Sequence, residues 1–450
     1  MNISLEKVGN VSAEITVNMV KADYEESVAK ALKKMSHKAQ IPGFRPGKVP
    51  VSLLNKMYGS QVKADEVNKL LGEKLFSYIK ENNINMLGEP LASDKQKPQD
   101  IENQSEFEFI FDIALAPEFK AALTSEDKIA YYDIDITDEQ IDEQVRQMAQ
   151  RAGHPEIVDE YADRDIIRGV LAELDENGQP KEGGLILEQA SLMPTYFKDD
   201  EEKGKFSAAK KNEVIVFNPS KAYSGNEVEL AALLKKKKEE IGDYVGDFSF
   251  QIDEISRFVP AEVDQNLFDQ VFGAGVVNNE VEFRNKIKDN LKGLYNIESD
   301  YRFLMDVRAY MDTKVGVLEF PVELLKKIAK ANNPDKADSF IEENFDKSLQ
   351  DLKWHLIREQ LVKENNITVN DADLKAAAME MARTQFAQYG MTDIPTEYLE
   401  QYATEMLKKK EHVNNLIDHS IDSKLTSALK NVVSLENKSI SLEEFSKLSN

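Results

Sequence analysis

The chain has 450 residues, 41% of them hydrophobic and 31% charged, with a formal net charge of −24 and no cysteine. This excludes disulfides, thiolate metal sites and cysteine nucleophiles, and no run approaches the roughly 20 apolar residues that cross a bilayer. At about 150 residues per domain the length predicts two to four domains. The opening Met1-Asn2-Ile3-Ser4-Leu5-Glu6 shows no basic leader ahead of an apolar run, so no secretory signal is visible.

The first hundred or so residues read as an α+β unit. Ile3 to Val8 and Val11 to Val17 alternate as strands, and a helix follows over about Asp23 to Ala39 with Val28, Ala31, Leu32 and Met35 on its apolar stripe. A loop at 41–50 interrupts the helical pattern, which resumes at Val51–Tyr58 and again through Val67, Leu70, Leu71, Leu75, Phe76 and Ile79. Phe107, Phe109, Phe111, Ile113 and Leu115 share one face of a closing strand that Pro117 ends. A strand at Tyr131–Ile136 then leads into a helix whose start is marked by a capping box, Thr137 with Gln140.

From Tyr161 to Phe258 the pattern turns to short strands and glycine-containing turns. Strands are predicted at Ile166–Leu174, Glu213–Phe217 and Asp247–Phe258, with a turn at Glu176-Asn177-Gly178 and one helix at Glu227–Glu240. From Pro260 onward the chain reads as helical, over 280–313, 321–331, 336–365, 370–389, 396–433 and 441–448. Prolines 260, 321, 334 and 395 fall between these segments. Several exceed usual globular helix length, which suggests extended arms, and Met379, Met381, Met391 and Met406 suit either adaptable binding surfaces or ordinary core packing.

The net charge hides a local exception. From Ser27 to Ala64 there is no acidic residue, while Lys30, Lys33, Lys34, Lys38, Arg45, Lys48, Lys56 and Lys63 supply +8. This stretch encloses Gly43-Phe44-Arg45-Pro46-Gly47-Lys48. Pro42 and Pro46 restrict the backbone, and Gly43 and Gly47 permit sharp reversals. Phe44 offers a flat apolar face, Arg45 a bidentate donor and Lys48 a point charge. Two readings are open from these residues: a stiff docking tip, or a turn whose phenylalanine tucks into the core.

Ile41-Pro42-Gly43-Phe44-Arg45-Pro46-Gly47-Lys48-Val49-Pro50 resembles the signature loop of the bacterial trigger factors, and Tyr58-Gly59 and a helix follow as in that family. The resemblance implies a ribosome-associated, ATP-independent chaperone of the cytoplasm. Its loop docks on the large ribosomal subunit beside the exit tunnel, touching protein and rRNA, while the rest holds nascent polypeptides to assist folding and export. Carried over, Gly43, Phe44, Arg45, Gly47 and Lys48 form the docking site, supported by Lys30, Lys33, Lys34, Lys38 and Lys56. The family often has lysine where Pro46 stands, so this loop carries one charge fewer.

The implied architecture is multidomain α+β: a ribosome-binding domain at 1–116, a linker at 117–158, a β-rich FKBP-like domain of the prolyl isomerase type at 159–258, and an all-helical domain with arms at 259–450. The family also allows a homodimer off the ribosome. The middle domain departs from the FKBP pattern. Ile167-Arg168-Gly169-Val170-Leu171 replaces a strand with an aromatic and an acid before its glycine, and no Ile-Pro-Gly-aromatic segment precedes Glu227. Tyr196, Phe197, Phe217 and Tyr223 do not reproduce the proline pocket by spacing, so catalytic residues are not assigned, and isomerase activity is expected to be weak or absent. The alternatives are an active isomerase with chaperone activity, or a helical holdase that never visits the ribosome. No cofactor and no membrane partner is predicted. The five histidines are scattered and give no metal motif, and Gly273-Ala274-Gly275 reads as a helix stop rather than a dinucleotide loop.

Overall fold

The computed structural model describes residues 1–42, 44–45, 47–388 and 394–448. In chain order the first third comprises β1 (Asn2–Lys7), β2 (Ser12–Met19), α1 (Lys21–Lys38), α2 (Val51–Glu81), β3 (Met86–Ala92), β4 (Phe107–Leu115), β5 (Lys128–Ile134) and α3 (Asp138–Arg151). Then follow β6 (His154–Val158), β7 (Ile166–Glu173), β8 (Ile186–Leu192), α4 (Asp200–Gly204), β9 (Val214–Phe217), α5 (Pro219–Ala222), α6 (Glu227–Leu234) and β10 (Phe248–Val259). The remainder is α7 (Gln265–Phe272), α8 (Glu280–Val315), α9 (Val322–Asn332), α10 (Asp338–Glu364), α11 (Asp371–Gln388), α12 (Thr396–Met406), α13 (Lys410–Val432), β11 (Ser434–Ile440) and α14 (Leu442–Leu448). The protein is thus multidomain α+β, with a β-rich middle and a C-terminal region helical except for β11. None of its described helices is long and apolar enough to cross a membrane.

Two compact units form, Met1–Tyr132 with Ser299–Lys438, and Asp133–Glu298 with Ser439–Asn450. In the first, an antiparallel sheet of order β1-β2-β4-β3 buries Ile15, Val17 and Ile113 beneath α2 residues Val67, Leu71, Leu75 and Ile79, four apart and so on one helix face. The other sheet face is partly covered too: Ala114 and Leu87 pack with Ile328 of α9 and Leu356 of α10. β3 had no counterpart in the sequence reading, because Gly88 and Pro90 break its pattern. The register shift between Leu87 and Leu91 and its place at the sheet edge accommodate them.

The same unit contains the α11, α12 and α13 helices. The predicted single helix over 396–433 is broken between Met406 and Lys410. Ala403 of α12 and Leu416 of α13 both join Ala377 and Ala378 of α11 in one cluster. In a straight helix those two residues would lie about 20 Å apart, so the chain must bend to bury both on one spot. Met406 is buried and Met381 exposed, while Met391 lies outside the described residues.

In the second unit, Thr137 caps α3 and Gln140 completes the capping box, as predicted. α3 then packs Ile141 and Val145 against Phe268, Phe283 and Ile287. The middle sheet has order β6-β10-β7-β8, with β9 also paired to β10. A bulge between Ile252 and Glu254 resets the alternation of β10, so that Phe248, Phe250, Ile252 and Ile255 all face inward. The predicted helix at 227–240 stops at Leu234, where Lys235 takes a left-handed conformation. The chain then turns, which allows Ile241 to join the core holding Leu233 and Leu234. Gly273 ends α7, as its sequence suggested.

Candidate docking surface

α2 has 31 residues, but only its second half covers the sheet. Its first half pairs with α1 around a small separate core of Leu32, Val49, Leu54 and Val62. The 41–50 loop closes this helical hairpin at the end remote from the sheet.

The base of the loop is pinned. Val49 is 2% exposed, the Ser36 hydroxyl donates to the Val49 carbonyl at 2.7 Å, and Pro50 provides the N-cap of α2. The limbs fold as two successive turns, with the Phe44 N–H donating to the Ile41 carbonyl and the Lys48 N–H to the Arg45 carbonyl, each at 3.0 Å. Gly47 completes the second turn at φ +77°, in the left-handed region that glycine tolerates. Phe44 is 42% exposed and lies outside the core, which settles the orientation the sequence left open. Arg45 and Lys48 are exposed beside it. Gly43 lies outside the described residues.

The supporting lysines divide into two kinds. Lys30, Lys34 and Lys38 recur every fourth residue and share a face of α1, with Lys33 and Lys56 exposed nearby in the same hairpin. Lys30, however, pairs with Glu26 at 2.6 Å, so its charge is locally compensated. Lys63, also in the acid-free stretch, points elsewhere: it donates to the Gln104 carbonyl at 2.6 Å and lies 5.4 Å from the Phe107 ring centre. Ser36 was missed from sequence. A buried serine on a helix gives no local signal of the partner it reaches.

The middle domain places its aromatics differently from an open binding pocket. Phe197 stacks on Phe217 with ring centres 5.7 Å apart and planes 11° from parallel. Phe206 stands edge-on to both, and Tyr223 edge-on to Phe197 at 5.1 Å. All four are buried, and burial pushes the Tyr223 phenol up to about 12. Only Tyr196 of the aromatics noted from sequence is well exposed. No group of three or more His, Cys, Asp or Glu side chains among the described residues is placed to hold a metal ion.

Three family models match in succession: "Bacterial trigger factor protein (TF)" over residues 1–148, "Probable trigger factor, FKBP-like domain" over 156–260, and "Probable trigger factor, C-terminal domain" over 299–449. The trigger factor of Agathobacter rectalis is 22% identical, the alignment covering 94% of this chain and 96% of that one. That of Shewanella halifaxensis is also 22% identical, over 99% and 98%. A solved structure, "Promiscuous Substrate Recognition in Folding and Assembly Activities of the Trigger Factor Chaperone", is 14% identical with a TM-score of 0.48, covering 96% of this chain and 99% of that one. With all three of its regions matched in that order, the chain belongs to the trigger factor family.

Proposed function

We propose that this protein is an ATP-independent chaperone of the cytoplasm that docks on the large ribosomal subunit through the 43–48 loop and holds emerging polypeptides, assisting folding and export. The observation that carries the reading is Phe44, 42% exposed on a braced double turn that also exposes Arg45 and Lys48, in a chain of net charge −24. A solvent-exposed ring held rigid beside Arg45 and Lys48 matches a surface that offers both stacking faces and phosphates, such as rRNA with an adjoining protein. Because the tip is preset, little entropy is lost when it binds. In this reading residues 1–116 bind the ribosome, 117–158 link, and 259–450 hold the chain. Residues 159–258 serve chiefly as a scaffold, because the aromatic rings of that domain pack against one another.

Cosedimentation with ribosomes tests the proposal, comparing the wild type with the Phe44→Ala, Arg45→Ala, Lys48→Ala triple variant. Loss of binding by the triple variant with its fold intact is expected. Equal binding by the two proteins would remove the docking assignment.

A further inference from the structure

The docking loop is fastened by a side chain that lies outside it. Ser36, two residues before the end of α1, is 8% exposed, and its hydroxyl reaches the Val49 carbonyl at 2.7 Å. A helical serine can satisfy itself on the carbonyl one turn earlier. Here the hydroxyl crosses instead to the limb of the loop that returns toward α2. Val49 is itself buried among Leu32, Leu54 and Val62, so a carbonyl left there without a donor would be costly. The neighbouring residues tighten the same junction. The Ala39 N–H closes α1 on the Met35 carbonyl at 2.8 Å, and a Cβ at Gly47 would come within 3.4 Å of the His37 carbonyl. The return limb, residues 47–49, is therefore laid against the last turn of α1, with Ser36 supplying its one side-chain hydrogen bond among the described residues.

Docking needs Phe44, Arg45 and Lys48 presented together, and they sit on opposite limbs of two linked turns. If the return limb came free, Lys48 would move relative to Phe44 and the tip would have to be ordered on contact. We propose that Ser36 is a positioning residue for ribosome docking, its hydroxyl holding the return limb so that the ring and both cations are preset. This rests on the docking function proposed above. Ser36 itself touches no partner.

The test uses full-length Ser36→Ala, Ser36→Thr and the Phe44/Arg45/Lys48 triple alanine variant, in ribosome cosedimentation over a range of salt concentrations. Hydrogen exchange at the Lys48 amide and thermal melting are read in parallel. Ser36→Ala should weaken binding by about fivefold, the worth of one neutral hydrogen bond. It should speed exchange at Lys48 and leave the salt dependence as in the wild type, since no cation is removed. Ser36→Thr, which keeps the hydroxyl, should restore both affinity and protection. Wild-type binding by Ser36→Ala, alongside loss of binding in the triple variant, would overturn the positioning role and leave docking intact. Wild-type binding by the triple variant would instead remove docking, and this proposal with it. If Ser36→Ala melts too low to be measured, Ser36→Thr decides: wild-type affinity and protection support the proposal, and weakened binding by the folded protein overturns it.

Discussion

Replacing Asp127 by asparagine should destabilise the unit that carries the α1–α2 hairpin, in a pH-dependent way. The Asp127 side chain is 6% exposed and lies at the start of β5. Burial alone would push its carboxyl up, but the Lys314 ammonium at 2.6 and 2.8 Å, the Tyr310 hydroxyl at 2.7 Å and the Thr124 N–H at 2.7 Å outweigh burial and hold it at about 2. An unfolded chain binds that proton near pH 3.9. A folded value below the unfolded one stabilises the fold at pH values above about 4, and this contribution fades as the pH falls through about 2. A depression of nearly two units corresponds to at most about 2.5 kcal/mol. Lys314 is 38% exposed, and solvent screening of the pair reduces this to about 1–2 kcal/mol. Trp354, the single tryptophan, packs half-buried against the cluster that contains Leu123, Ile129 and Phe303, so its fluorescence follows unfolding of this unit. In urea titrations the Asp127→Asn protein should fall short of the wild type by about 1–2 kcal/mol at pH 7, and the gap should narrow steadily as the pH is lowered from about 4 toward 2. A gap that stayed constant across that range would refute the ionic account of this anchor.

Three further outcomes are expected. Gly169→Ala should destabilise the middle domain by about 2–3 kcal/mol or more, because the new Cβ would lie 1.8 Å from the Gln251 carbonyl oxygen on β10 and neither backbone can yield; loss of native circular dichroism at a lower temperature checks this. Lys33→Ala should lower the slope of log affinity for ribosomes against log salt by about 0.7–0.9, while Lys30→Ala, whose charge Glu26 already compensates, should change it less. A proline-peptide isomerisation assay on the full chain should give a rate close to the uncatalysed one, and a robust rate would show that Phe197, Phe206, Phe217 and Tyr223 open to admit substrate.

What the sequence disclosed followed the range of each interaction. The strand at 107–115, the Thr137 capping box and the glycine stop after α7 are written in neighbouring residues and appear as read. The turns expected in the 41–50 stretch also form at its described residues, where Gly47 takes a left-handed conformation. β11 was missed because its register with β5 joins residues some 300 positions apart: Ser439 donates to both Asp135 carboxylate oxygens at 2.7 Å, and no local pattern encodes that. The break between α12 and α13 was hidden for a related reason. Leu407-Lys408-Lys409 is acceptable helix sequence, and only the shared contact with Ala377 and Ala378 requires the bend. Within the acid-free stretch, composition counted Lys30 and Lys63 with the rest, whereas geometry assigns one to Glu26 and the other to the 102–105 loop.

The distribution of charge shows how so acidic a chain can carry a locally cationic surface. Residues 27–64 hold +8, so the remainder holds −32 to reach the total of −24. At physiological ionic strength fields decay over about 8 Å, so an anion within that range of the loop would feel chiefly Arg45, Lys48 and the lysines at the end of α1. Within its own unit the helical hairpin carries Lys33, Lys34, Lys38, Arg45 and Lys48 around a small core separate from the one beneath the sheet, so these cations are presented together rather than dispersed among the acids of the sheet.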